Sequence, residues 1–171
     1  MQRGGSRVPM PTRSSTLSLR PGRLLALASA GLVPQPARAE DPEKPYRIEA
    51  DGTVDWYTYN GYRRYHSDCH VCHGPDGLGS SFGPALADSL KVLSREQFLE
   101  TVANGKQDLS NSQFRKMPAF GTNPNVMCFI DDIYAYLEAR SDGAIGRGPP
   151  EKIAPKPQEA KDREASCMPG N

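Results

Sequence analysis

The sequence predicts a small all-α domain set inside a longer chain of 171 residues. Three stretches carry helical signals, and no stretch alternates apolar and polar residues for long enough to read as a strand. With 16 Gly, 16 Pro and only 37% hydrophobic residues, the chain can build one small core and leaves part of itself outside it.

The first helix is expected over Trp56–Asp68, with Asp55 as its N-cap. Tyr59, Tyr62 and Tyr65 fall three apart on it, a broad face that drifts around the axis. A second helix opens at Ser94, where Gln97 three residues on completes a capping box, and stops at Asn104-Gly105. Phe98, Leu99 and Val102 form its apolar stripe. The third is expected as one helix over Val126–Arg140, because Val126, Phe129, Ile133, Tyr136 and Leu137 recur at helical spacing. Asp131 and Asp132 fall off that stripe and read as solvated. Between the helices, Ser80–Leu93 reads as loop and Lys106–Asn125 shows no period.

The flanks have different compositions. All 20 acidic residues lie from Glu40 onward, whereas six arginines precede it. An acid-free Arg-rich segment, the apolar run Leu24–Val33 and Ala37-Arg38-Ala39 form the three parts of a cleaved secretory signal over 1–39, with Met10 a possible alternative start. The apolar run is too short for a bilayer, which needs roughly 20 residues, so no transmembrane segment is expected. The remaining 132 residues carry 15 basic and 20 acidic side chains, a formal −5, which excludes a basic nucleic-acid binder. Residues 40–55 read as an N-terminal arm, 56–141 as the folded domain, and 142–171 as a flexible tail rich in Gly, Pro and charge. Export places the mature protein in the periplasm.

The chemistry lies in Cys69-His70-Val71-Cys72-His73. C-x-x-C-H is the attachment signature of c-type haem: two thiols three residues apart reach the two vinyl groups of one haem, and the adjacent His73 sits beneath the iron. A redox dithiol wants a strand before the motif, and a zinc ribbon wants a second C-x-x-C, which is missing. One covalent haem c is therefore expected on Cys69 and Cys72, with His73 as an axial ligand.

For the opposite face of the iron, Met117 stands before Pro118 in an irregular stretch, 44 residues after His73. Met127 and Met168 are its competitors; His66 and His70 are too near the motif to reach round. A thioether favours reduced iron. Pro84, 11 residues after His73, can offer its carbonyl to the other ring nitrogen of that histidine. Trp56, Phe82, Phe120 and the tyrosines are expected to wall the haem pocket, and Arg63 and Arg64 either meet the propionates or face water. Cys128 and Cys167 either pair, which export permits, or stay apart.

At these residues the chain resembles the class I c-type cytochromes over about 56–140. Gly61 and Tyr65 in the first helix, and Ile133 and Tyr136 in the last, match the positions where that family crosses its two terminal helices closely around the haem. Gly83-Pro84 and Met117-Pro118 match its proximal and distal loops. Tyr59-Asn60-Gly61-Tyr62-Arg63-Arg64-Tyr65-His66, Gly74-Pro75-Asp76-Gly77 and Asn125–Tyr134 further resemble the methanol-metabolism-related c-type cytochromes. That resemblance implies a small monohaem fold and a monomeric electron carrier, not an enzyme. It implies a pyrroloquinoline-quinone (PQQ)-dependent alcohol or methanol dehydrogenase as donor, and a terminal oxidase or another cytochrome as acceptor. The competing reading is a haem-bearing enzyme or a fixed haem subunit of an oxidoreductase complex.

Overall fold

The computed structural model describes residues 44–108 and 115–168. The expected leader over 1–39 and the start of the arm lie outside the described residues. Helix α1 runs Trp56–Asp68 as expected, and the Asp55 carboxylate accepts hydrogen bonds from the backbone N–H groups of Tyr57 and Thr58. Its inner face buries Thr58, Asn60, Gly61 and Tyr65. The haem motif forms a single turn, α2, His70–His73, followed by a 3₁₀ turn over Pro75–Gly77 and the short α3, Leu86–Ser89. Helix α4, Arg95–Asn104, carries both hydrogen bonds of the Ser94–Gln97 capping box and buries Phe98 and Val102.

The expected helix over 126–140 is two helices. Asn123 caps α5, Pro124–Met127, with Pro124 in its first turn; α6 then runs Ile130–Ser141. The chain leaves helical geometry at Phe129, φ −130° and ψ 19°, and this turns its ring inward to a buried position. The apolar stripe holds on both sides of that break, so its period is right and its continuity is not. α6 packs chiefly against α1, and the core gathers Tyr65, Phe98, Val102, Ile133, Tyr136 and Leu137.

Two further expectations are corrected. The stretch 106–125 holds a two-stranded antiparallel pair, β1 Lys106–Asp108 and β2 Arg115–Met117, with Lys106 opposite Met117. Three residues per strand are too few for a period of two to show. The segment 142–171 is also not a loose tail through its described part. It contains α7, Gln158–Cys167, which buries Ala160 and is tied to the domain by a Cys128–Cys167 disulfide, Cα–Cα 5.8 Å. Arm and tail are stitched together where Val54 bridges both Ile48 and Ile153, and where Lys44 and Tyr46 bond the Asp142 carboxylate. Composition misjudged this segment because its order comes from a covalent link and ion pairs, with little apolar burial of its own.

Candidate functional site

The motif begins where α1 ends. The backbone N–H groups of Cys72 and His73 both donate to the Cys69 carbonyl, at 3.2 and 3.0 Å, so one helical turn gathers two thiols and an imidazole. Burial pushes the Cys69 thiol up to about 12. His73 is only 7% exposed, and its Nδ1 lies 3.0 Å from the Pro84 carbonyl oxygen. With that nitrogen donating, Nε2 carries the free lone pair. Gly83 makes this possible: a Cβ there would stand 2.9 Å from His73 Nδ1 and 2.9 Å from the Cys72 carbonyl oxygen. Ser80 closes the loop, its hydroxyl donating to the Cys72 carbonyl and its N–H to Gly83.

The turn after the motif is held from three sides. The Tyr65 hydroxyl donates to the Gly74 carbonyl at 2.5 Å and accepts from the Gly77 N–H at 3.1 Å. Asp76 is buried in left-handed backbone, φ 59°. Its carboxylate accepts from the Gly148 N–H at 3.0 Å, from Arg147 Nε at 3.4 Å and from the Tyr136 hydroxyl at 3.4 Å. Burial works to raise the Asp76 carboxyl, but the Gly148 and Arg147 bonds outweigh it and hold it below the usual carboxylate range. Arg140 of α6 donates to the Asp76 carbonyl at 3.3 Å.

Cys69, His73 and Met117 line one apolar cavity. Its walls are Leu86, Leu93, Phe98, Val102, Val126, Ile130, Ile133 and Leu137. Met117 is the last residue of β2, where pairing with Lys106 sets its position. Met127 and Met168 do not line the cavity, and His66 turns its Nδ1 to the Tyr62 carbonyl at 2.8 Å. The Cys69 thiol, an imidazole with its second nitrogen occupied and a thioether line this apolar slot. Cys72, outside the lining, shares the helical turn of Cys69 and His73, and the set suits covalently held haem c.

The walls differ from the expected ones. Phe82 is 73% exposed, and Trp56 lies beneath Lys156, whose Nζ is 5.5 Å from the ring centroid. The tyrosines of α1 stack along one another and onto Tyr136, away from the cavity, and Phe120 packs on the core without lining it. The aliphatic wall was partly visible as the stripes of the second and third helices; Leu86 and Leu93 lie in a stretch without period. The Arg64 guanidinium covers the Phe129 ring at 3.7 Å and reaches Glu164. Asp132, read as solvated, is 2% exposed and bound by Asn60 and Arg163.

An all-α fold that closes two crossed helices over a C-x-x-C-H turn and a facing methionine defines a haem-attachment domain of the c type. Residues 58–137 match the family described as cytochrome c oxidase, cbb3-type, subunit III. The chain is 53% identical over 125 residues to cytochrome c-553I of Paracoccus denitrificans, across 73% of this chain and 55% of that protein. It therefore spans little more than half the length of that relative. It is 43% identical over 100 residues to cytochrome c-555 of Methylococcus capsulatus, across 58% of this chain and 75% of the relative. Among solved structures it is similar to the c-type cytochrome XoxG from Methylobacterium extorquens AM1, with TM-score 0.63, 46% identity, and coverage of 75% of this chain and 85% of that one. The chain belongs to the class I c-type cytochromes, which carry covalent haem c and transfer electrons.

Proposed function

We propose that the chain is a monomeric periplasmic electron carrier. It takes electrons from a PQQ-dependent alcohol or methanol dehydrogenase and passes them to a terminal oxidase or another cytochrome. The single observation that carries this reading is that His73 and Met117 line the same apolar cavity. With His73 and Met117 both available to hold it, a bound haem iron would have no position left for substrate, which favours outer-sphere electron transfer.

In this reading Cys69 and Cys72 would hold the haem covalently through their thiols, and His73 and Met117 would ligate its iron. The bound haem supplies an iron that gains and loses one electron. The Pro84 carbonyl orients the His73 ring and strengthens it as a donor. The aliphatic walls exclude water and, with the thioether, favour the reduced state. The donor and acceptor follow from the resemblance of residues 59–66, 74–77 and 125–134 to the methanol-metabolism-related cytochromes. Export after a cut following Ala39 belongs to the same proposal. Among the described residues no helix is long and apolar enough to cross a membrane.

The test is the optical spectrum of the purified protein, oxidised and reduced, with carbon monoxide added. A weak long-wavelength band in the oxidised form, lost in Met117→Ala, and no carbon monoxide binding to the wild type are expected. Prompt binding to the wild type would overturn the carrier reading in favour of a haem-bearing enzyme or enzyme subunit. Reduction by a substrate-reduced PQQ dehydrogenase then tests the donor.

A further inference from the structure

The break between α5 and α6 is clamped from outside the cavity it helps to enclose. Val126 and Ile130, on either side of Cys128-Phe129, both line the cavity with Met117. Cys128 is bonded to Cys167 at the end of α7. The Phe129 ring is buried beneath the Arg64 guanidinium at 3.7 Å, with Arg163 of α7 at 5.9 Å. One turn further, Arg163 Nη2 bonds both oxygens of Asp132, at 2.8 and 2.7 Å, and Asn60 of α1 donates to the same carboxylate at 2.7 Å. Glu164 pairs with Arg64 and with Lys156, which fixes the helix that carries Arg163.

The geometry points to α7 as a positioning element for the distal side of the haem pocket. Cys167 and Arg163 act through Cys128, Phe129 and Asp132 to hold the Val126–Ile133 wall against which Met117 packs. Three features support a role beyond anchoring a tail. The disulfide joins α7 to Cys128 at the break itself, next to Phe129, where the backbone leaves helical φ and ψ. Asp132 is 2% exposed while Arg163 is half-buried, so removing Arg163 alone would leave a buried carboxylate without its charged partner. His73 itself is held separately, its Nδ1 3.0 Å from the Pro84 carbonyl oxygen on the loop that Ser80 closes.

The inference rests on Met117 as an axial ligand. The experiment therefore uses the haem-loaded full-length protein and follows the long-wavelength band with temperature, beside far-ultraviolet dichroism and carbon monoxide binding. In Cys128→Ser/Cys167→Ser the band is expected to vanish while helix content persists, and reduced protein is expected to bind carbon monoxide. Arg163→Lys, which keeps the charge, should retain the band. If the cysteine variant does not accumulate, Asp132→Asn/Arg163→Gln removes the ion pair without leaving a lone charge and should show the same early loss. Variants that keep the band up to unfolding, even at a lowered unfolding temperature, would overturn the inference and leave the axial assignment standing. A wild type without the band would overturn both.

Discussion

Gly61 and Asp132 meet backbone to backbone where α1 crosses α6. A Cβ on Gly61 would stand 1.8 Å from the Asp132 carbonyl oxygen and 2.9 Å from the Tyr136 Cβ. That approach sets the spacing of the two helices, and with it the buried contact of the Tyr65 and Tyr136 rings at 5.6 Å. Both rings hold the turn that follows the haem motif, through Gly74, Gly77 and Asp76.

Gly61→Ala should therefore separate the helices. Overpacking a well-filled contact costs about 1–3 kcal/mol, and here the neighbour is backbone that cannot rotate away. The urea midpoint is expected to fall by at least that equivalent. Gly146→Ala, with nothing within 4 Å of the added atom, should stay within about 0.5 kcal/mol of wild type. Equal midpoints for the two variants would show that the crossing is looser than the structure has it.

Gly83→Ala should act on the haem rather than on the fold. The added methyl meets His73 Nδ1 and weakens its bond to the Pro84 carbonyl. A less basic imidazole stabilises oxidised iron less, so the reduction potential should rise, on the order of tens of millivolts. An unchanged potential in a folded, haem-loaded variant would remove the Pro84 carbonyl from the list of groups that tune the site.

Tyr65→Phe deletes one hydroxyl with two partners. The Gly74 carbonyl and Gly77 N–H are then left buried and unpaired, at about 1–3 kcal/mol in all. Chemical denaturation reads the loss, and Tyr59→Phe, on the same helix but outside this turn, is the comparison that should change little.

Acid should loosen the protein through Asp76. Its folded carboxyl lies below the ordinary value, so as pH falls below about 4 the unfolded chain takes up the proton first and stability drops. Glu164, held low by Lys156, and Asp142, held low by Tyr46 and Lys44, have the same sign. Asp132 runs the other way, because burial raises its carboxyl despite Asn60 and Arg163. Asp76→Asn should cost about 2 kcal/mol at neutral pH, as expected for bonds to a charged acceptor, and progressively less below pH 4. Denaturation curves at a series of pH values that stay parallel for variant and wild type would contradict this.

Much of the haem site was legible one residue at a time. Cys69, Cys72 and His73 are bound by the spacing of a single helical turn, and local geometry does not depend on the rest of the fold. Asp55 and the Ser94–Gln97 box marked helix starts for the same reason: a cap is a hydrogen bond between near neighbours. Gly61 pointed to a close approach through the resemblance to class I cytochromes, and a glycine permits backbone contact that a side chain would block.

What escaped were the relations between distant segments. The aromatic residues of α1 looked like haem walls, yet the crossing with α6 turns Tyr62 and Tyr65 onto Tyr136, and the cavity is walled mainly by aliphatic residues, with Phe98 among them. Asp132 sits off the apolar stripe and looked solvated; only the arrival of α7 shows that its charge is buried and answered by Arg163. The tail looked loose because composition records apolar burial and cannot record a disulfide or an ion pair whose partner lies 30 or more residues away. The sequence by itself determined the cofactor and the helical class, since a C-x-x-C-H turn and helix caps depend on contacts within a turn or two. The tertiary structure alone decided which faces line the cavity and which charges pair, since burial and pairing exist only once the chain has closed on itself.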